Sequence, residues 1–227
     1  MTSVDRMYAL FKAVEYLVRH QIAGDIVECG VWKGGSSMAA AMSLLRLGKD
    51  DKTLYLYDTY SGMPEPTEKD ISIGGLDARE RYRKARRAGY TNWDYASIEE
   101  VRENMYSTGY PPDRLVFVKG NVEDTIPRTA PERISLLRLD TDFYESTYHE
   151  LKYLYPRLSE QGVLILDDYG HWKGHREAVD RYFRETEHRI LLCRVDYTGR
   201  IGIKLPSYSR TVPHNGNLES STPHTLR

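Results

Sequence analysis

The chain has 227 residues, long enough for one domain with a substantial buried core. Its 32 Lys and Arg against 33 Asp and Glu give a formal net charge of -1, which offers no general electrostatic case for nucleic acid or an anionic membrane as partner. Two cysteines, Cys29 and Cys193, exclude a disulfide framework or a cysteine metal site; Met1 to Asp5 lack the pattern of a signal peptide, and no apolar run nears the ~20 residues that span a bilayer, so a soluble cytoplasmic protein is expected.

Tyr8 to Arg19 has helical spacing, with Leu10, Val14, Leu17 and Val18 toward a core and Asp5 as its cap. A buried-type strand, Asp25 to Cys29, runs into Gly30-Val31-Trp32-Lys33-Gly34-Gly35-Ser36, and Ser36 to Leu47 forms a second helix. Thr53 to Tyr57 is the next strand, ending at Asp58. Residues 61–95 are polar and irregular, with Pro64, Pro66 and a basic run from Arg79 to Arg87; so long a stretch without apolar period is expected to be a functional lid or mobile loop. Ser97 to Tyr106 reads as a helix, and Leu115 to Val118 as a short strand ending at Gly120.

Ile134 to Leu139 is an apolar strand tipped by Asp140-Thr141-Asp142. Glu145 to Ser159 has an amphipathic pattern, with Leu151, Leu154, Tyr155 and Leu158 on one face and Gly162 placed as the helix stop. Gly162 to Leu166 is a second apolar strand, tipped by Asp167-Asp168. Glu177 to Glu187 reads as one more helix, and Arg189 to Val195 pairs with Ile201 to Leu205 as an antiparallel hairpin around Tyr197-Thr198-Gly199. The alternation predicts an α/β fold: a doubly wound, mostly parallel seven-stranded sheet with helices on both faces and a C-terminal antiparallel hairpin. One domain is expected over residues 1–206, with the lid at about 61–95 and a flexible tail over 207–227.

Strand, helix, strand implies a right-handed crossover, which brings both aspartate-tipped strands to the same sheet edge ~4.8 Å apart. Asp140, Asp142, Asp167 and Asp168 therefore converge where open α/β sheets bind ligands, and so much negative charge calls for a cation. For a single aspartate pair, capping a turn or pairing with Arg138 or Arg176 is an equally good reading; two clusters at neighbouring strand ends favour a metal. His171 and His175 follow Asp168 and are expected to be ordinary hydrogen-bonders, and Trp32, Trp93 and Trp172 to be core rather than sugar-stacking surface.

The glycine loop at the first strand's end admits three nucleotide-type readings. A phosphate loop for ATP needs a lysine before the serine, and Gly35 is followed directly by Ser36 and Ser37. A dinucleotide fingerprint needs glycine two residues after Gly30, where Trp32 stands, which also weakens a nicotinamide-dependent oxidoreductase. S-adenosylmethionine has no phosphates, and Asp58 at the second strand's end is placed to grip its ribose.

Val27 to Ser36, Tyr57 to Pro64, Leu137 to Asp142 with Tyr144 to Thr147, and Leu166 to Tyr169 together resemble the macrocin O-methyltransferase family, from about Asp5 to Leu205. The resemblance implies a Rossmann-like class I methyltransferase using S-adenosylmethionine and Mg²⁺ to methylate a sugar hydroxyl of a glycosylated natural product. It implies Asp140, Asp167 and Asp168 as magnesium ligands and Asp142 as general base. Glu28, Gly30, Gly35, Ser36, Asp58 and Asp140 would line the cofactor site, with Ser97, Asn121 and Val122 on the adenine side. The expected partner is a small glycosylated acceptor chosen by the lid, with no nucleic acid or membrane partner, and the chain is expected to form a homo-oligomer. Two other readings stay open: methylation of a catechol-type phenol by the same metal logic, and a non-catalytic RNA-binding module using Arg79 to Arg87.

Overall fold

Period-two alternation of apolar side chains builds the core from both faces of one sheet. The computed structural model of the chain describes residues 2–206, so the tail expected over 207–227 lies outside the described residues. In chain order the elements are α1 (Val4–Arg19), β1 (Asp25–Cys29), α2 (Gly35–Arg46), β2 (Leu54–Asp58), α3 (Ala78–Ala85), β3 (Arg86–Arg87), β4 (Tyr90–Thr91) and α4 (Ile98–Ser107). They continue with β5 (Leu115–Lys119), α5 (Val122–Thr125), β6 (Ile134–Leu139), α6 (Tyr144–Leu154), β7 (Leu158–Leu166), α7 (Lys173–Glu185), β8 (Cys193–Arg194) and β9 (Arg200–Ile203). Seven strands form one sheet in the order β5-β2-β1-β6-β7-β9-β8, parallel except where β9 pairs with β7 and β8. Ile26, Leu54, Leu56, Leu136 and Ile165 face α1, α2 and α4 in one cluster. Val27, Cys29, Tyr57, Leu137, Leu139 and Leu164 face α5, α6 and α7 in the other. No helix among the described residues is long and apolar enough to cross a membrane.

Several boundaries differ from the sequence-based expectation. The cap of α1 is Ser3, whose hydroxyl accepts the Arg6 N–H at 3.2 Å, rather than Asp5, which sits in the first turn. α6 stops at Leu154 because Pro156 lacks an N–H to continue it, and Tyr155 to Arg157 tighten into a 3₁₀ turn. The chain enters β7 at Leu158, opposite Ile134, so Gly162 lies inside a strand rather than ending a helix. The hairpin strands are shorter than expected, and α7 begins at Lys173 rather than Glu177.

The segment from 61 to 95 is packed, which corrects the mobile-loop expectation. It contains α3, capped by Asp77, and the β3–β4 ribbon. Buried Asp70 accepts the Tyr144 N–H at 2.8 Å on one carboxylate oxygen and the Thr67 N–H and hydroxyl, at 2.7 and 2.9 Å, on the other. Its side chain thereby caps α6, whose own preceding residue, Phe143, has no side-chain acceptor. Trp93 packs edge-on against Phe143 and beside Trp172, with centroids 5.8 and 6.2 Å away, joining the lid to the aspartate-tipped turns.

Candidate active site

The parallel ladder runs one residue past each central strand. The Gly30 N–H donates to the Tyr57 carbonyl at 2.9 Å, Asp140 N–H to Cys29 at 2.8 Å and Asp167 N–H to Leu139 at 2.9 Å. These bonds fix Gly30, Asp140 and Asp167 in a line across the carboxyl edge of the sheet. Gly30 has φ 81°, and a Cβ there would collide with the Asp140 carbonyl oxygen, so this crossing needs glycine. Asp142 also sits at positive φ, 65°, where the turn re-aims its side chain.

Asp140, Asp167 and Asp168 each present a carboxylate oxygen, and the three oxygens lie within 4.8 Å of one another. Buried Arg138 organises two of them from below. One guanidinium nitrogen, Nη1, donates to Glu28 Oε1 at 2.6 Å and Asp140 Oδ2 at 2.7 Å, while Nη2 donates to Asp167 Oδ1 at 2.6 Å. Glu28 and Arg138 are direct partners in the β1–β6 register, which aligns them beneath the cluster. Arg6, reaching from α1, pairs with the other Asp167 oxygen and with Asp196.

The electrostatics separate the carboxylates. Burial would raise Asp167, but Arg138 and Arg6 hold it below its ordinary value. Burial pushes Asp140 and Asp168 well above the usual carboxylate range, and neighbouring aspartates add to the effect. Asp142 is pushed up to about 7 by burial and then by the charge of Asp140. Its Oδ1 accepts the Trp172 indole N–H at 2.8 Å, whereas Oδ2 of Asp168 is buried with no hydrogen-bond donor. An unpartnered buried carboxylate oxygen beside two other aspartates is under-compensated by the nearby charge of Arg138 alone.

A cavity of about 260 Å³ opens over this edge, walled by Gly30, Trp32, Asp58, Asn121 and Val122 on one side and by the four aspartates on the other. Asp58 stitches the glycine loop: Oδ2 accepts the Val31 and Trp32 N–H groups at 2.8 and 2.9 Å, and Oδ1 accepts the Tyr60 N–H at 2.7 Å. Burial raises its carboxyl, and these backbone donors oppose the rise.

Gly30, Asp58, Asn121, Val122, Asp140, Asp142, Asp167 and Asp168 thus come together around one cavity. Glu28, Gly35, Ser36 and Ser97 do not line it. Glu28 turns beneath the sheet edge to Ser37 and Arg138, Gly35 and Ser36 belong to the first turn of α2, and the Ser97 hydroxyl caps α4 by accepting the Glu100 N–H at 3.1 Å. Arg138 does pair with aspartates, but Arg176 instead donates to the Tyr169 carbonyl at 3.1 Å. His175 is buried against Thr147, at 3.0 Å, away from the cavity, whereas His171 lines it beside Tyr197. Trp93 and Trp172 are core; Trp32 is 40% exposed on the cavity wall.

Sequence reasoning missed Arg6, Asp94 and the Trp172 donor. Asp94 had a signal in its position beside Trp93 in the lid; Arg6 had none, because only the fold brings the start of α1 to the strand ends.

The model of the macrocin O-methyltransferase family matches residues 1–201. The chain belongs to this family. Among curated relatives, a tetracenomycin-C 4'-O-methyltransferase of Streptomyces olivaceus, acting on a 2,3-dimethoxy-rhamnosyl compound, is 34% identical over 91% of this chain and 70% of its own. Mycinamicin III 3''-O-methyltransferase of Micromonospora griseorubida is 32% identical over 80% of this chain and 69% of its own. The solved structure of the O-methyltransferase NovP superposes with a TM-score of 0.77, at 28% identity, covering 90% of this chain and 81% of that one. The chain is accordingly a Rossmann-like, S-adenosylmethionine-dependent O-methyltransferase.

Proposed function

We propose that this enzyme methylates a sugar hydroxyl of a glycosylated small molecule of the natural-product type, with a Mg²⁺-class cation held by Asp140, Asp167 and Asp168. The convergence of those three carboxylates within 4.8 Å carries the reading. The donor set fits: hard oxygen ligands suit Mg²⁺, and the orphaned Asp168 Oδ2 and raised Asp140 carboxyl are what a bound cation would satisfy. The names of the Streptomyces and Micromonospora relatives support a sugar acceptor.

Bound there, a divalent cation lowers the proton affinity of a coordinated hydroxyl, and S-adenosylmethionine supplies an electrophilic methyl on sulfonium sulfur. The protein's part is orientation and proton transfer. Gly30 lets the loop backbone approach the donor, and Asp58 holds that loop through two of its backbone N–H groups, those of Val31 and Trp32. Asp142 accepts the hydroxyl proton, and the Trp172 indole N–H, donating to its Oδ1, holds the carboxyl in place. The carbon–sulfur bond breaks as the carbon–oxygen bond forms, with no covalent enzyme intermediate. Held orientation supplies a large share of the acceleration.

The test is methyl transfer to a panel of rhamnosylated acceptors, neutral and phosphate-linked, with and without EDTA, for wild type and Asp168→Asn. The expected result is turnover abolished by EDTA, restored by Mg²⁺, and lowered at least ~100-fold by the substitution, with S-adenosylhomocysteine binding retained. Full activity of Asp168→Asn in EDTA would contradict the metal reading.

A further inference from the structure

The lid carries charge that methyl transfer does not use. Residues 79–87 hold Arg79, Arg81, Arg83, Lys84, Arg86 and Arg87 against Glu80 alone, in a chain of formal net charge -1. Part of this run is committed: Arg79 pairs with Asp77 at 2.7 Å, Arg81 lies over the Trp93 ring at 4.2 Å, and Arg83 Nε donates to the Arg79 carbonyl at 3.2 Å. Arg86 and Arg87 differ. Both are exposed, neither forms an ion pair among the described residues, and both line a groove of about 340 Å³.

That groove rests on a rigid mount. Arg86 lies opposite Thr91, and Arg87 opposite Tyr90, in the β3–β4 ribbon. The Thr91 N–H donates to the Ser61 carbonyl at 2.8 Å and its hydroxyl to the Met63 carbonyl at 3.0 Å, while a Cβ on Gly62 would collide with the Thr91 carbonyl. The ribbon is therefore clamped to the loop that follows β2. Arg87 Nη1 donates to the Lys84 and Arg86 carbonyls, at 3.0 and 2.8 Å, which orients its guanidinium and leaves Nε and Nη2 for another acceptor.

The groove is continuous with the catalytic cavity, because Thr59, Gly62, Met63, Pro64 and Asn121 line both. The two spaces carry opposite charge. The cavity gathers six aspartates, counting Asp58 and Asp94, whereas the groove presents two arginines against Glu65. A ligand spanning both has a polar, uncharged end among the carboxylates and an anionic end at the arginines. Paired guanidinium forks match phosphate oxygens in geometry and charge.

We infer that this groove is an anion subsite and that the acceptor sugar is presented joined to a phosphate or diphosphate rather than to a neutral aglycone. The inference rests on reading the cavity as a sugar-methylating site and names its substrate class. No bond to phosphorus changes: the methyl carbon passes from sulfur to the sugar oxygen, the hydroxyl proton goes to Asp142, and the phosphate stays attached. The class of reaction that consumes the product is then a glycosyl transfer in which that phosphate leaves.

Calorimetry of the full chain saturated with S-adenosylhomocysteine tests this, using inorganic pyrophosphate and thymidine diphosphate as probes, with methyl rhamnoside as neutral control and an RNA oligonucleotide as competitor class. Both anions are expected to bind wild type, and Arg86→Gln with Arg87→Gln to weaken them tenfold or more without moving the melting temperature or S-adenosylhomocysteine affinity. Tighter binding of thymidine diphosphate than pyrophosphate indicates a nucleoside diphosphate sugar; equal binding indicates a sugar phosphate. In turnover of thymidine diphospho-rhamnose, KM should rise in the variant more than kcat falls. Anion affinity unchanged by the double substitution overturns the inference, as does turnover of methyl rhamnoside with no anion binding, or RNA binding tighter than either anion and lost in the variant. Failure of wild type to bind S-adenosylhomocysteine would instead overturn the methyltransferase reading, on a separate readout.

Discussion

Arg138 reaches three carboxylates from one position before the end of a central strand, and its neighbours show how single side chains divide the work. Asp167 is charge-compensated by two arginines, while Asp168, one residue on, has one buried oxygen, Oδ2, without a donor. The aspartate clusters were legible in the sequence because apolar strands of known pitch must end at a common edge. The Glu28–Arg138 pair was not, because it depends on β1–β6 register, which a sequence pattern does not state. His175 makes a prediction at this scale. Burial lowers its pKa to about 3, against the charge of Asp167, so it is neutral in the fold. The unfolded chain, with an ordinary value near 6.5, takes up a proton first as pH falls. This contribution is therefore fully present above pH about 6.5 and lost progressively down to pH about 3, at up to ~1.4 kcal/mol per pH unit. Raised carboxyls such as Asp168 act in the opposite sense, so a difference measurement isolates it. Between pH 7.5 and 5.5, urea unfolding of wild type should lose about 1 kcal/mol more than Asn or Gln at 175 loses. Parallel pH curves for wild type and His175→Gln would show that the histidine is not buried neutral.

Among the elements, the lid departs furthest from what its polar, aperiodic sequence implies. Its length and polarity marked it as functional, yet its anchoring was hidden, because the anchors are isolated residues rather than a periodic pattern. Asp70 ends up capping a helix more than seventy residues away in sequence, and Trp93 closes a three-ring cluster with Phe143 and Trp172. The sequence pattern runs past the true end of α6 for a related reason: Leu158 continues the apolar period of the helix while serving as a strand residue beyond Pro156. Removing the Asp70 carboxylate should expose the value of the clamp. Asp70→Ala leaves the Tyr144 N–H without its acceptor and should cost about 2 kcal/mol. Trypsin should then cut within 79–87 faster than in wild type while α1 to β2 stay protected. An unchanged melting temperature together with an unchanged cleavage rate would show that the lid is held by other contacts.

At the scale of the whole molecule, strand order and function are one problem. Placing β1 and β7 on either side of β6 puts the glycine loop, the Asp140 turn and the Asp167-Asp168 turn side by side, and it is this adjacency that turns separate acidic tips into a site. The alternating pattern and closing hairpin made the architecture readable from the chain alone. The arrival of α1 at the same edge was not readable, since Arg6 meets Asp167 only after the sheet has formed. The proposed function requires three carboxylates from two neighbouring strand ends to share one divalent cation. Crystals grown with S-adenosylhomocysteine and soaked in Mn²⁺, examined by anomalous scattering, test it directly. The expected map has a single strong peak about 2.0–2.3 Å from carboxylate oxygens of Asp140, Asp167 and Asp168. An empty map at that position, with methyl transfer still running in the soaking buffer, would contradict it.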